Sequence, residues 1–95
     1  MSEELISADE LDDALKRCPE WEVEGDAITR TIEFEEYMDG IDFVNVLAEI
    51  AEEAQHFPEI HIRENKVALR LMSEDVKGVT DIDLEMASRI DNMVD

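Results

Sequence analysis

The chain has one cysteine and no long apolar run, and each shortage excludes a class of protein. Cys18 stands alone, so no internal disulfide can form. No apolar stretch approaches the roughly 18 residues that a membrane-spanning helix requires, and the opening MSEELISADE is acidic, without a hydrophobic signal segment. We therefore expect a soluble, cytoplasmic protein. The helical spacing of Cys18 from Leu11, Ala14 and Leu15 makes it a small core residue rather than a nucleophile.

Basic residues are scarce as well. Eight Lys and Arg stand against 27 Asp and Glu, which gives a net charge of −19. Such a surface repels nucleic-acid phosphates and anionic lipids, so we expect no nucleic-acid or membrane partner. The acids are spread along the whole chain, and concentrated salt would screen their mutual repulsion. This pattern predicts the salt-rich cytoplasm of a halophilic microbe; an acidic partner-binding surface or a solubility device are the alternatives.

The apolar residues are sufficient for one packed domain. With 95 residues, of which 44% are hydrophobic, the chain predicts a single domain over residues 1–95. It contains no repeat, linker or low-complexity segment. Two histidines and one cysteine at these spacings fit no metal-ligand pattern, and no phosphate loop or nucleophile elbow is present. We therefore expect no metal site, and neither of the other two chemistries is supported.

Two helices are predicted in the first half of the chain. The first begins with a capping box, Ser7 and Glu10, and ends at Pro19. The second begins near Asp39 and is closed by Pro58. Its apolar residues recur at helical spacing and form one stripe (Phe43, Val46, Leu47, Ile50, Ala51 and Ala54).

Two hairpins and a third helix complete the pattern. The segment WEVEGDAITRTIEF predicts two strands joined at Gly25-Asp26, with Arg30 on the otherwise apolar face of the second strand. The segment EIHIRENKVALRLMS predicts two strands around Glu64-Asn65-Lys66, and the alternation of Val67, Leu69 and Leu71 points their side chains inwards. The last helix opens with Thr80 and Asp83 in capping-box spacing. The order αββαββα predicts an α+β two-layer sandwich, in which three helices cover one face of a four-stranded antiparallel sheet.

The order of elements and several motifs resemble one family. The chain from Leu11 to Ile90, including FVNVLAEIAEEAQHFPE and NKVALRLMSEDVKGVTDIDLEMASRID, is similar to the pterin-4a-carbinolamine dehydratases (4a-hydroxytetrahydrobiopterin dehydratases). That family usually shows Ala-Glu-x-x-x-His-His-Pro-Glu, then Asn-Lys-Val, Thr-His-Asp and Gly-Leu-Thr-x-x-Asp. The resemblance implies removal of water from a 4a-hydroxytetrahydropterin without metal or redox cofactor. It also implies self-association as a homodimer or homotetramer.

The resemblance assigns site residues position by position. The family's first histidine matches His56, and its glutamate four residues earlier matches Glu52. On a helix this spacing would place both side chains on one face, where the carboxylate could orient the imidazole. The family's proline matches Pro58 and its late aspartate matches Asp83. The resemblance thus implies His56 as the principal acid–base residue, oriented by Glu52 and assisted by Asp83.

Other positions depart from the family pattern. Phe57 and Glu74 stand where the family has its second and third histidines, and Ile60 and Glu64 stand where tryptophan and tyrosine are usual. Phe57 cannot transfer a proton, but it could stack on a flat pterin ring. Glu74 could serve as an acid or base if burial raised its pKa. His61 is an additional histidine that could replace a missing one if its side chain points into the site.

The same residues also have structural interpretations. The helix dipole favours a histidine such as His56 at a helix C-terminus, and Asp83 can be explained as a cap with Thr80. Phe57 can pack at the helix end. A second function therefore stays open, in which the same fold binds a pterin without turnover or serves as an accessory or dimerisation partner. The missing histidines favour that alternative.

Overall fold

Seven elements follow one another along residues 5–94, the part of the chain that this computed structural model describes. They are α1 (Ala8–Arg17), β1 (Glu22–Glu24), β2 (Ala27–Glu33), α2 (Tyr37–Ala54), β3 (Glu59–Arg63), β4 (Lys66–Leu71) and α3 (Asp81–Val94). The predicted order and the α+β class are confirmed. The ends of the predicted domain, residues 1–4 and 95, lie outside the described residues.

The four strands form one antiparallel sheet in the order β1-β2-β4-β3. Both hairpins turn where the sequence predicts them. In the first, Gly25 has φ 61°, a left-handed conformation that glycine adopts without a Cβ penalty. In the second, Glu64 takes a similar conformation with φ 54°. The segment that contains α2 carries the chain across the sheet, so β4 lies beside β2 and β3 forms an edge.

The core lies between the sheet and the helices. Alternate residues of β4, namely Val67, Leu69 and Leu71, are buried as predicted, and the register places Ile28 opposite Leu71 and Ile32 opposite Val67. The helices cover this face with buried side chains from α2 and α3 and half-buried ones from α1 (Phe43, Leu47, Met86, Ala87, Ile90, Leu11 and Leu15). Residues of opposite parity, such as Thr31 and Glu59, are exposed on the other face.

A polar cluster interrupts the core near α3. Arg30 points towards the helices as predicted, and its guanidinium pairs with Asp91, which also accepts a hydrogen bond from the indole of Trp21 (2.8 Å). Cys18 is half-buried and packs against the core, as expected. Burial, followed by the charge of Asp91 and a hydrogen bond to it, raises the pKa of the Cys18 thiol above its ordinary value of 9.0. The thiol therefore stays protonated near neutral pH.

The helix caps support the predicted starts of α1 and α3. Ser7 accepts a hydrogen bond from the Glu10 N–H (3.2 Å), and its hydroxyl donates to the Glu10 carboxylate (3.0 Å). At α3, the N–H of Thr80 donates to the side chain of Asp83 (2.9 Å). Each helix start thus shows one of the two reciprocal hydrogen bonds of a capping box.

The helix α2 differs from the prediction at its ends. It begins at Tyr37, before Asp39, and it ends at Ala54, well before Pro58. The helix ends early for a local reason: Gln55 adopts the left-handed conformation (φ 55°, ψ 38°), which cannot continue an α-helix. His56 therefore lies outside the helix.

The apolar stripe of α2 is also narrower than predicted. Val46 is 47% exposed and Ala54 is exposed, whereas Phe43, Leu47 and Ala51 are buried. Residues four positions apart lie in one row along an α-helix, so these three side chains can contact the sheet together. Ile50 is half-buried and also packs against the core, whereas Val46 and Ala54 fall outside the contact.

Candidate active site

The backbone of His56 is fixed by the end of α2. Gln55 donates its N–H to the carbonyl of Glu52 (3.3 Å), and the N–H of His56 donates to the carbonyl of Ala51 (3.1 Å). These two bonds, with a left-handed residue between helix and loop, form a Schellman-type helix end. The imidazole of His56 is thereby held at a rigid turn, and its ring reaches the N-terminal turn of α3.

The partner of His56 is Asp83, which is 0% exposed. One carboxylate oxygen of Asp83, Oδ1, is hydrogen-bonded to Nε2 of His56. The other, Oδ2, accepts hydrogen bonds from the Ser73 hydroxyl and the Thr80 N–H, both at 2.9 Å, and lies 3.4 Å from the Thr80 hydroxyl. A buried carboxylate is costly without such partners. Asp83 therefore caps α3 and binds His56 at the same time, so the two interpretations of this residue do not compete.

The hydrogen-bond network assigns the tautomer of His56. Because an ionised carboxylate can only accept hydrogen bonds, Nε2 of His56 donates to Oδ1 of Asp83 and therefore carries the ring hydrogen. Nδ1 is the ring nitrogen without that contact. The His56 side chain is 13% exposed, so the ring is not sealed from solvent. An imidazole held in this way can accept a proton at Nδ1 or, once protonated, donate it.

A pocket of about 360 Å³ opens beside this pair. It lies where β4 ends and β3 begins. Its lining contains an imidazole, an aromatic ring, a hydroxyl group and charged groups (His56, Phe57, Ser73, Glu59, Arg70 and Glu74). Small-molecule sites usually occupy roughly 300–1,000 Å³. The pocket is therefore large enough for a bicyclic heterocycle, and His56 is the lining residue suited to proton transfer near neutral pH.

The predicted orientation of His56 by Glu52 is wrong. Glu52 lies in the last turn of α2 and its side chain is exposed, whereas His56 follows the left-handed Gln55. The four-residue spacing brings side chains together only on a continuous helix. Because the helix ends between them, the carboxylate that contacts the imidazole comes from Asp83.

The structure brings two of the substituted family positions to the pocket. Phe57, which is 64% exposed, and Glu74 both line it. Pro58 is half-buried directly before β3. The His61 side chain is 71% exposed and its Nε2 lies 3.5 Å from the carboxylate of Glu59. Within the described chain, neither Pro58 nor His61 is among the lining residues.

Sequence reasoning missed three polar residues of this site and assigned a fourth, Thr80, only as the capping partner of Asp83. Ser73 and Thr80 complete the network around Asp83, and their hydroxyls are 3.0 Å apart. Glu59 and Arg70 form an ion pair on the pocket wall, with Nη1 and Oε2 separated by 2.9 Å. The strand alternation could have found the second pair, because it places Arg70 on the face opposite the buried Leu69 and Leu71.

Residues 5–94 contain neither a candidate metal cluster nor a candidate membrane-crossing helix. No group of three or more His, Cys, Asp or Glu in this part of the chain is placed to hold a metal ion. No helix there is long and apolar enough to cross a membrane.

The chain matches one family model almost throughout. The model, described as pterin 4 alpha carbinolamine dehydratase, matches residues 4–93. The chain belongs to this family. A relative from Halobacterium salinarum, named provisionally as a pterin-4-alpha-carbinolamine dehydratase, is 46% identical over 90% of this chain and 97% of its own length. A relative from Thermomicrobium roseum with the same provisional name is 42% identical over 84% of this chain and 91% of its own.

Solved structures of pterin dehydratase type support the fold. The crystal structure of a transcriptional coactivator/pterin dehydratase from Brucella melitensis matches with a TM-score of 0.91 and 29% identity, over 95% of this chain and 98% of that one. A pterin dehydratase-like protein identified as a RuBisCO assembly factor in the α-carboxysome matches with a TM-score of 0.64 and 19% identity, over 77% and 84%. The second likeness concerns the fold alone.

Proposed function

We propose that this protein dehydrates a 4a-hydroxytetrahydropterin to the quinonoid dihydropterin. The observation that carries the proposal is the pairing of His56 with the buried Asp83 at the wall of a pocket of about 360 Å³. Membership of the pterin 4 alpha carbinolamine dehydratase family supports this class of reaction. The pair supplies a group that can transfer protons near neutral pH, and the pocket supplies a place for the ring.

One imidazole is sufficient for the proton balance of this reaction. The bond between C4a and the hydroxyl oxygen breaks, and the hydroxyl leaves as water after it receives a proton. The N–H of the adjacent N5 loses its proton, and the electron pair of that bond forms the C4a=N5 double bond. Nδ1 of His56 can take the N5 proton and give it to the leaving hydroxyl, which returns the imidazole to its starting state.

Asp83 supports both halves of this cycle. Its carboxylate accepts a hydrogen bond from Nε2 of His56, so it fixes the ring and stabilises the imidazolium that forms when Nδ1 takes a proton. Phe57 and Glu74 line the pocket and would act on the substrate directly. In this proposal Phe57 stacks on the pterin ring, and Glu74 is a second carboxyl group within reach of the leaving water.

The test is the rate of 4a-carbinolamine dehydration by the purified protein in molar KCl, followed spectroscopically. We expect a rate well above the spontaneous one. His56→Ala and Asp83→Asn should each lower it by about 10²-fold or more, because positioned acid–base groups contribute roughly 10²–10⁴-fold. Asp81→Asn is the matched control, since Asp81 is exposed in the same turn of α3. A folded protein that shows no catalysed rate would contradict the proposal.

A second candidate is a pterin-binding module on the same fold without turnover. The replacement of two family histidines favours it. Phe57 stands in place of one imidazole and cannot transfer a proton, and Glu74 puts a carboxyl group in place of the other. Pterin binding measured by fluorescence in the same samples separates the two functions. Pterin binding without a catalysed rate, retained in His56→Ala, would support the binding module.

A further inference from the structure

We propose that Glu59 and Arg70 together recognise the 2-amino-4-oxo edge of the pterin ring. This inference rests on the proposed function and names the part of the pocket that selects its substrate class. The two residues lie directly opposite each other on β3 and β4, and both line the pocket that contains His56. They would therefore be substrate-binding residues.

The pair is held in a defined arrangement by the sheet. Nη1 of Arg70 donates to Oε2 of Glu59 at 2.9 Å, and it also lies 3.3 Å from the sulfur of Met72. Directly opposed residues on antiparallel strands share one face of the sheet, so the contact is set by the register and not by a flexible loop. Oε1 of Glu59 lies 3.5 Å from Nε2 of His61 on the same strand.

The pair keeps hydrogen-bonding capacity for a ligand. A guanidinium has five N–H donors in a fixed plane and a carboxylate has about four acceptor positions. The contacts above involve two of each, so both groups retain free positions. Arg70 is 34% exposed and Glu59 is 56% exposed in their side chains, so a ligand in the pocket can reach them. Together they present a row of one donor and two acceptors.

That row is complementary to the pyrimidine edge of a pterin. The edge presents the carbonyl O4, the N3–H and the 2-amino group, which read as acceptor, donor and donor. Arg70 would donate to O4, and the Glu59 carboxylate would accept from N3–H and the 2-amino group in a bidentate contact. With this edge on the sheet side, C4a and N5 are left for the wall that carries His56.

The charge of the pocket favours this edge over an anionic group. Glu59, Glu74 and Asp75 all line the pocket, and the guanidinium of Arg70 is already paired with one of them. A phosphate or carboxylate placed there would meet more carboxylates than free cationic groups. A neutral edge with two N–H donors meets no such repulsion.

The first test needs no variant. Binding of 6-hydroxymethylpterin and 6-hydroxymethyllumazine is measured by fluorescence titration of the intact protein; the lumazine has a 2-oxo group and an N1–H where the pterin has a 2-amino group and an unprotonated N1. The 2-oxo group would face the Glu59 carboxylate, so we expect the wild type to bind the pterin at least about tenfold more tightly, the effect of losing one charge-assisted hydrogen bond. Equal affinities would overturn the inference.

Two variants then assign the selectivity to the pair. Glu59→Gln should bring the pterin-to-lumazine ratio close to one, because the amide can donate to a 2-oxo group. Arg70→Met should weaken both ligands by about tenfold and keep their ratio, since both carry O4. Glu33→Gln, an exposed glutamate at the far end of the same sheet, is the control and should bind like the wild type.

The outcomes separate this inference from the proposed function. A wild type that turns over the carbinolamine while Glu59→Gln keeps the full pterin preference would overturn the role of the pair and leave the dehydratase proposal standing. A wild type that binds neither ligand and shows no rate would overturn both. A lost preference in Glu59→Gln, with a retained rate in the wild type, would support both.

Discussion

The hydroxyl of Ser73 is a small group on which the proposed acid–base pair depends. It is buried, donates to Asp83 (2.9 Å) and lies 3.0 Å from the hydroxyl of Thr80. Ser73→Ala should lower the free energy of unfolding by about 1–3 kcal/mol, because a buried carboxylate loses a donor. The measurement is urea unfolding followed by circular dichroism. Ser88→Ala on the exposed surface of α3 is the matched control and should cost little.

The effect on the site separates this role from simple packing. If Ser73 positions Asp83, the variant should also change the pH profile of the dehydration rate, because it alters the hydrogen bonding of the carboxylate that contacts Nε2 of His56. An unchanged stability and an unchanged profile would contradict the network that the structure shows.

Individual site residues were predictable only where a motif carried them. The resemblance identified His56 and Asp83, but their contact joins residues 27 positions apart, and no local pattern reports such a contact. The Glu52 assignment failed for the opposite reason, because a local rule was applied across a helix end. The left-handed Gln55 that ends the helix is not a glycine, so the usual sequence signal for that ending was absent.

At the scale of elements, the turn between β1 and β2 depends on one backbone conformation. Gly25 has φ 61°, and a Cβ added there would meet no atom within 4 Å. Gly25→Ala should therefore destabilise the protein by about 1 kcal/mol through the backbone alone. Gly25→Asn should cost less, since asparagine tolerates the left-handed region. Thermal unfolding of the three proteins checks this order, and equal stabilities would show that the turn changes conformation.

The elements themselves were largely predictable, because each has a local cause. Alternation along β4 indicated its buried face, and the capping boxes marked the starts of α1 and α3. The sheet order β1-β2-β4-β3 has no such cause. Hairpin signals specify only neighbours in sequence, whereas the pairing of β2 with β4 is decided by how α2 packs on the sheet. The pocket depends on that pairing, since it forms where β4 ends beside β3.

At the scale of the whole molecule, the edges of the sheet are open to a partner in this single chain. The strand β3 lies at one edge and carries Ile62, which is 39% exposed, and β1 at the other carries Val23, which is 50% exposed. Unpaired edges with apolar residues favour association between chains. The homodimer or homotetramer implied by the resemblance stays a prediction, and its salt dependence should be followed by light scattering because like charges oppose association.

The net charge of −19 gives the last prediction. Salt shortens the range of repulsion from about 10 Å at 0.1 M to about 3 Å at 1 M, so KCl over this range should raise the midpoint of thermal unfolding. A gain of about 1 kcal/mol would move it by roughly 4–8 °C in a domain of this size. A salt that is excluded from the protein surface also strengthens hydrophobic burial. The double variant Glu49→Lys, Glu53→Lys separates the two effects. Both positions are exposed on α2, and each reversal adds two units, so the net charge changes from −19 to −15.

If repulsion limits stability, the variant should be more stable than the wild type at 0.1 M KCl and should gain less from added salt. Parallel curves for the two proteins would assign the salt effect to hydrophobic burial and would remove the physical basis for a halophilic origin.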